Sequence, residues 1–435
     1  MQRVEHYLDP MKILFLADNF PPEKNAQASR VYERSCYWTA WNHKVTVITC
    51  APNFPDGEIY PGYKNRIRQI EFTSGIRITR VITFIAPNTG RFFRVIDFLS
   101  YMVSAFLAGL FESRPDLVTA TSPQLFGAVA GCALAAVKRV PFVIEVSDLW
   151  PESIVAVGAM KRSFVLRLIE KIELSMYARA SRVIVLTRAF RQNLIRRGVP
   201  GNKIDVVLNG ADSQRYHPRP KRVEIGRQWG ISENEFVAGY IGTLGMAHGL
   251  ENMLDAAGKC GCQARFMLVG TGAKRESLIA EAKRRELTNV TFIPAQAKEF
   301  MPDFWSLCDV ALIHLKNSSL FETVIPSKIF EAMAMGLPLL LVAPRGEASD
   351  LVEAEGAGIW VGPDNPHELA AAVLLLANNS ELRKRLAGAS RRAAFKYTRE
   401  HQAREMLQSY ERATRPGSVE KNYQKSLTDE SASCD

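Results

Sequence analysis

Lys12-Ile13-Leu14-Phe15-Leu16-Ala17 and, further on, Lys44-Val45-Thr46-Val47-Ile48-Thr49 decide the reading of this chain. Each is a short apolar run bounded by polar residues. The first shows no alternation, as expected for a strand buried on both faces of a parallel sheet. Between them, Asp18-Asn19-Phe20-Pro21-Pro22 signals a turn and Ala28 to Trp41 carries a helical pattern. Strand, helix, strand is the unit from which doubly wound α/β domains are built.

Working outward, further strands are predicted at Ile76 to Ile82, Asp116 to Ala120, Phe142 to Val146 and Arg182 to Leu186. A polar, turn-rich connection from Asn209-Gly210-Ala211-Asp212 through His217-Pro218-Arg219-Pro220 interrupts the alternation. A second series follows, with strands at Phe236 to Ile241, Arg265 to Val269, Val290 to Ile293, Val310 to Ile313, Leu339 to Val342 and Gly358 to Val361. The predicted organisation is a Rossmann-like domain over 11–207, a second over 208–395, a helix over 396–415 packing back on the first domain, and a disordered tail over 416–435, where periodicity is lost. The expected fold class is α/β: two doubly wound domains facing a central cleft, with ligands beyond the carboxyl ends of the strands.

Composition narrows the function. A chain of 435 residues, 47% hydrophobic and 23% charged, has room for two folded cores. Its net charge of +10 lies wholly in the first half: 27 basic residues stand against 17 acidic through residue 210, and 28 against 28 beyond it. The densest basic stretch runs from Lys161 and Arg162 through Arg167, Lys171, Arg179, Arg182, Arg188 and Arg191 to Arg197, opposed by Glu170 and Glu173. It reads either as a solvated helical face or as a surface for an anionic membrane or polyphosphate. No nucleic-acid motif accompanies it. Seven scattered cysteines argue against a disulfide framework and fit a reducing cytoplasm. Cys260-Gly261-Cys262 lacks a second ligand pair, so no metal is assigned. The polar start, Met1 to Pro10, does not resemble a secretory signal. The uncharged stretch Phe98 to Phe111 is shorter than the roughly 20 residues a span requires, leaving it a place in the membrane surface.

Several segments can carry chemistry. Pro326-Ser327-Lys328-Ile329-Phe330-Glu331-Ala332-Met333-Ala334-Met335-Gly336-Leu337-Pro338 leads from a loop into a helix and on to a strand. Amides at the helix start, the Ser327 hydroxyl and the Lys328 ammonium together suit a diphosphate, and Glu331, one turn on, can accept from ribose hydroxyls. Read alone, Ser327 and Glu331 also fit a plain helix cap. Gly242-Thr243-Leu244-Gly245-Met246-Ala247-His248-Gly249 and Gly270-Thr271-Gly272-Ala273-Lys274 each follow a strand, either as phosphate-facing turns or as ordinary connections. In the first domain, Asp148 follows the strand Phe142 to Val146, and Arg30 lies beyond the first strand. Asp148 either meets substrate or caps a helix; Arg30 either meets phosphate with its planar fork or lies on a helical surface.

The segment from Pro326 to Pro338 resembles the donor-site signature of family 4 retaining glycosyltransferases of the GT-B fold, particularly the fucosamine-transferase-like branch of O-antigen and capsule synthesis. The likeness extends over about residues 11–415. It implies that Glu331 binds ribose and that Gly242, Thr243, His248, Gly270, Gly272, Lys274, Ser327 and Lys328 line the donor site. It also implies that Asp148, near the family's usual catalytic histidine, orients acceptor or donor sugar, and that Phe20 to Arg30 closes on the diphosphate with Asn25 near a customary glycine. Three departures stand out. Thr243 and His248 replace the family's arginine and lysine, and Thr323 replaces a glutamate eight positions before Glu331. Neutralising the diphosphate then falls to Lys328, Arg30 and the amides of Gly242 to Gly245, assisted by His248. The missing glutamate points to a deoxygenated or N-acetylated sugar.

The resemblance thus implies an enzyme that moves a sugar from a UDP-sugar to a lipid-linked saccharide acceptor with retained configuration. No Asp-x-Asp sequence occurs, so no metal cofactor is expected. Location on the inner face of the cell membrane follows, with Lys161, Arg162, Arg167 and Lys171 toward lipid or acceptor. A nucleotide-sugar 2-epimerase and a non-catalytic nucleotide-sugar binder share the fold and remain open. The residues do not indicate an oligomeric state.

Overall fold

A computed structural model describes residues 9–23, 25–54, 56–85, 91–122, 124–149 and 164–415. The chain forms two units. The first runs to Leu186, resumes over Phe190–Val207 and takes up the chain again from Gln402; the second holds Thr187–Ala189 and Leu208–His401.

The first unit is built on an eight-stranded sheet. Its strands are β1 (Lys12–Leu16), β2 (Lys44–Cys50), β3 (Arg68–Thr73), β4 (Ile76–Val81), β5 (Leu117–Ser122), β6 (Phe142–Val146), β7 (Arg182–Val185) and β8 (Ile204–Val206), in the order β3-β4-β2-β1-β5-β6-β7-β8. All pairs are parallel except β3 with β4. The central strands are buried along nearly their whole length, which explains their continuous apolar sequence. Pattern reading does not find β3 and β8. β3 is a polar antiparallel edge strand with four of its six residues exposed, and β8 has only three residues.

Helices α1 (Ala26–Ala40), α2 (Arg91–Phe111) and α3 (Leu125–Lys138) accompany this sheet. Asn25 begins α1 as its N-cap: its side chain accepts from Ala28 N at 2.8 Å, with backbone φ at −76°. Asn25, near the family's customary glycine, therefore serves through its side-chain oxygen, on an extended backbone. α2 corrects the length read from sequence, because Arg94 and Asp97 fall inside the helix and do not end it. Phe93–Phe111 is long and apolar enough to cross a membrane by length and composition. Tyr101, Ala105 and Ala108 nevertheless bury one face of α2 in the unit, with Tyr101 Oη donating to the Ile48 carbonyl at 2.8 Å.

The helix Arg399–Thr414 places Ala403, Met406, Leu407 and Tyr410 in the first unit's core beside Phe15, Val31 and Trp38. Trp38 Nε1 donates to the Ala403 carbonyl at 2.9 Å, and the Trp38 and Tyr410 rings lie 5.5 Å apart. Each such buried large side chain contributes about 1.5–3 kcal/mol. The crossing back to the first unit comes at residue 402, a few residues later than the boundary predicted from sequence.

The second unit holds a wholly parallel six-stranded sheet. It comprises β9 (Val237–Ile241), β10 (Arg265–Val269), β11 (Val290–Ile293), β12 (Val310–His314), β13 (Leu339–Val342) and β14 (Gly358–Val361), ordered β11-β10-β9-β12-β13-β14. The order reverses between β9 and β12, and in the first sheet it reverses between β1 and β5. Crevices at such points are where open α/β sheets bind ligands.

Candidate active site

The second unit's switch point gathers much of the donor constellation. Beyond β9 the chain turns at Gly242; beyond β12 lies the helix Lys328–Ala334, which carries Glu331. Lys328 is half-buried as a residue, but its Nζ is wholly buried, 3.8 Å from the centre of the Tyr240 ring, with no hydrogen-bond partner among the described residues. Burial lowers its pKa to about 7, partly countered by the Glu331 carboxylate. A buried ammonium without hydrogen bonds is costly, and the Tyr240 ring face offsets only part of that cost. An arriving diphosphate would satisfy it.

Ser327 is exposed and its hydroxyl makes no capping bond. The helix it precedes has only seven residues. Its dipole is correspondingly modest, so most of the positive potential here belongs to the Lys328 side chain. Thr323, at the position of the absent glutamate, turns its hydroxyl onto the Leu320 carbonyl at 2.8 Å.

His248 departs from the assisting cation expected of it. Burial, reinforced by the Lys328 charge, lowers its pKa to about 4, so the ring is neutral at physiological pH. Its Nδ1 lies 3.1 Å from the His314 carbonyl, which can only accept, so Nδ1 carries the proton and Nε2 is left as an acceptor. In the free protein His248 therefore offers an acceptor at Nε2 and no positive charge. His314, 2% exposed, receives Asn252 Nδ2 on its own Nε2 at 3.0 Å and is likewise held neutral, burial lowering its pKa to about 4.

The glycine turns need a second correction. Gly242 N donates to Val269 O at 2.9 Å and Leu244 N to Thr271 O at 2.8 Å, so two of the four amides expected to face phosphate already bind the neighbouring turn. Thr243, although exposed, lends its carbonyl to the Tyr240 hydroxyl at 2.8 Å. A Cβ on Gly270 would fall 1.9 Å from Gly242 O, and one on Gly272 2.5 Å from Leu244 O, both glycines having φ near +150°. Gly270 and Gly272 are thus required by the contact of the two turns, before any nucleotide arrives. Lys274 Nζ pairs with Glu251 Oε1 at 2.8 Å.

In the first unit Arg30 is buried and directed inward. Its Nε lies 3.1 Å from Glu145 Oε1, and its Nη2 donates to Ser147 Oγ. Arg34 makes a two-pronged contact with the same carboxylate, at 2.6 and 3.1 Å. Arg30 is therefore neither a surface residue nor a fork held open to solvent. Asp148 is half-buried just beyond β6, its carbonyl 3.5 Å from Ser122 Oγ. Arg167 and Lys171 are exposed on the helix Phe164–Arg179; Lys161 and Arg162 lie outside the described residues. The basic stretch is divided among several elements: Arg197 pairs with Glu170 and Glu173, and Arg182 with Asp205.

Sequence reasoning missed Tyr240, Asn252, His314 and the pairing of Arg30 and Arg34 on Glu145. A histidine ending a buried strand, at His314, and arginines one helical turn apart in α1 were the available signals. Among the described residues no group of three or more His, Cys, Asp or Glu side chains is arranged to hold a metal.

Comparison with known proteins agrees with this architecture. The model for Glycosyltransferase Family 4 matches residues 27–215, and that for Glycosyl transferases group 1 matches residues 221–393. WcaI of Escherichia coli (strain K12), named as a colanic acid biosynthesis glycosyl transferase, is 25% identical over 83% of this chain and 91% of its own. Among solved structures, sucrose-phosphate synthase from Thermosynechococcus elongatus superposes with a TM-score of 0.74 at 18% identity, covering 92% of this chain and 98% of the other. Anabaena HepE, in complex with UDP-glucose, gives 0.69 at 20% identity, covering 92% and 100%. The chain is a hexosyltransferase-type glycosyltransferase of the GT-B fold, its first half matching Glycosyltransferase Family 4 and its second Glycosyl transferases group 1.

Proposed function

We propose that this glycosyltransferase moves a sugar from a UDP-linked donor to a lipid-linked saccharide during surface polysaccharide synthesis, without a metal ion and with retained anomeric configuration. The observation that carries the reading is the buried, unpartnered Lys328 ammonium between the Tyr240 ring and Gly242. As the bond from the anomeric carbon to the diphosphate breaks, negative charge grows on the leaving phosphate and positive charge on the sugar ring. Lys328 meets the first, and Glu331, one turn along the same helix, is placed for ribose hydroxyls. UDP is favoured because HepE, of like fold, was solved with UDP and with UDP-glucose. Thr323, whose hydroxyl is taken up by the Leu320 carbonyl, leaves no carboxylate at this position, which suits an N-acetylated deoxy sugar.

A peripheral place on the cytoplasmic face of the membrane is part of this reading. Exposed Phe164, Leu168 and Ile172 accompany Arg167 and Lys171 on one helix, combining apolar and cationic groups that suit anionic lipid. The function is tested by incubating the protein with radiolabelled UDP-sugars, a chelator and lipid-linked saccharides, then determining product configuration by NMR. Chelator-resistant transfer with retention supports the proposal. Transfer that requires a divalent cation, or only from a donor carrying another nucleotide, contradicts it.

A further inference from the structure

The bend that follows β6 is held by a chain of polar contacts headed by Arg30. Arg30 and Arg34 lie one helical turn apart on α1, so both side chains leave the same face and reach the Glu145 carboxylate. The Arg34 fork alone engages both oxygens, at 2.6 and 3.1 Å. Arg30 adds its Nε to Oε1 and turns Nη2 onto the Ser147 hydroxyl, the first side chain beyond the strand. The carboxylate fixes the Arg30 guanidinium, and the guanidinium carries that constraint past the strand end.

From Arg30 onward the hydrogen bonds run in one direction. A guanidinium only donates, so Ser147 Oγ accepts from Arg30 and keeps its own proton to give. Thr121 Oγ1 stands 3.3 Å from Ser147 Oγ and itself donates to the Ser122 carbonyl at 3.1 Å, so Ser147 is the donor between the two hydroxyls. Ser122 Oγ in turn donates to the Asp148 carbonyl at 3.5 Å. The chain thus leaves Arg30, passes through Ser147 and Thr121 to Ser122, and returns to the bend at Asp148. Thr121 and Ser122 are buried, so water competes little for these hydroxyls, and bonds in such a series polarise one another.

What the chain holds in place is Asp148. This carboxylate stands beyond the carboxyl end of β6, on the side where open α/β sheets meet their ligands. To act on a sugar it must be placed to within about 0.5 Å, and a bend outside the strand ladder does not supply that precision by itself. A charge-headed chain of buried hydroxyls does.

We propose that Arg30 is a positioning residue for sugar transfer: anchored on Glu145, it holds Ser147 and thereby the bend that presents Asp148 to the reacting sugar. The proposal rests on the transfer reaction above and on Asp148 serving it; the nucleotide of the donor is immaterial to it.

The test uses the full chain and whichever nucleotide sugar supports transfer, so a donor other than a UDP-sugar would count against the reading above and leave this one standing. Ser147→Ala removes the acceptor while the ion pairs of Arg30 and Arg34 with Glu145 stay in place. Arg30→Lys keeps the charge and loses the planar fork. Each should lower kcat about 10- to 100-fold, the scale of loss when a reacting group is displaced by up to about 1 Å, with donor KM and the thermal unfolding midpoint unchanged. Hydrogen exchange over residues 142–149 should rise in both variants while the rest of the first unit keeps its protection. In an Asp148→Ala background, where kcat is already low, Ser147→Ala should cost nothing further. Lost stability with kcat retained would make the contact a fold-holding one and overturn the proposal. Losses that multiply in the double variant, or full activity in Asp148→Ala, would overturn it as well. Should Arg30→Lys fail to fold, Ser147→Ala and the double variant decide.

Discussion

The two sheets share a topology but differ in chemistry. Each reverses strand order beside its first strand, and each places polar side chains beyond the carboxyl ends there. In the second unit that point holds a buried cation and two neutral histidines; in the first it holds the carboxyl groups of Asp18 and Asp97, the Gln124 amide and the rings of Phe98 and Phe126. One architecture thus presents different chemistry at equivalent points, the difference resting on a few side chains at the strand ends.

The comparison is broken most sharply at Lys328. Replacement by Met should lower kcat/KM by about 10²–10³-fold, the usual loss for one charge-stabilising group; steady-state kinetics with varied donor would show it. A Glu145→Ala substitution in the first unit should be nearly as severe for stability, costing about 3–5 kcal/mol, because the fully buried Arg34 and Arg30 lose their common carboxylate. Denaturant unfolding would measure it. Gly270→Ala should destabilise the second unit by a few kcal/mol, on the order of a core defect, since its Cβ would overlap Gly242 O; thermal unfolding is the readout. Reversing Arg167 and Lys171 to Glu should reduce affinity for anionic vesicles, each charge contributing about 1 kcal/mol near such a surface. Unchanged sedimentation with vesicles would remove the membrane face from the account.

Strand positions were largely legible, because strands buried on both faces leave unbroken apolar runs such as Leu14 to Ala17 and Leu339 to Val342. The exposed edge strand Arg68–Thr73 leaves no such trace. Lys328 and Glu331 could be singled out because a single short segment carries both. The neutrality of His248 could not, since it depends on the His314 carbonyl, 66 residues away in sequence, and on burial. The same holds for Arg30, whose partner Glu145 comes from β6. The glycine turns could be singled out from sequence, but their packing on each other, which by itself calls for Gly270 and Gly272, could not.

Lys328 is proposed as the group that meets the diphosphate. Its pKa in the free protein, about 7, lies below the ordinary 10.5, so at pH 8 it is mostly neutral; an arriving diphosphate favours the ammonium and raises that pKa. UDP binding should therefore take up a proton at pH 8, and affinity should fall as pH rises above 7. Calorimetry of UDP binding at pH 8, in buffers of different ionisation enthalpy, measures this directly. Uptake approaching one proton per UDP, abolished in Lys328→Met, is the predicted result; binding with no proton uptake, or uptake that persists in the variant, would contradict it.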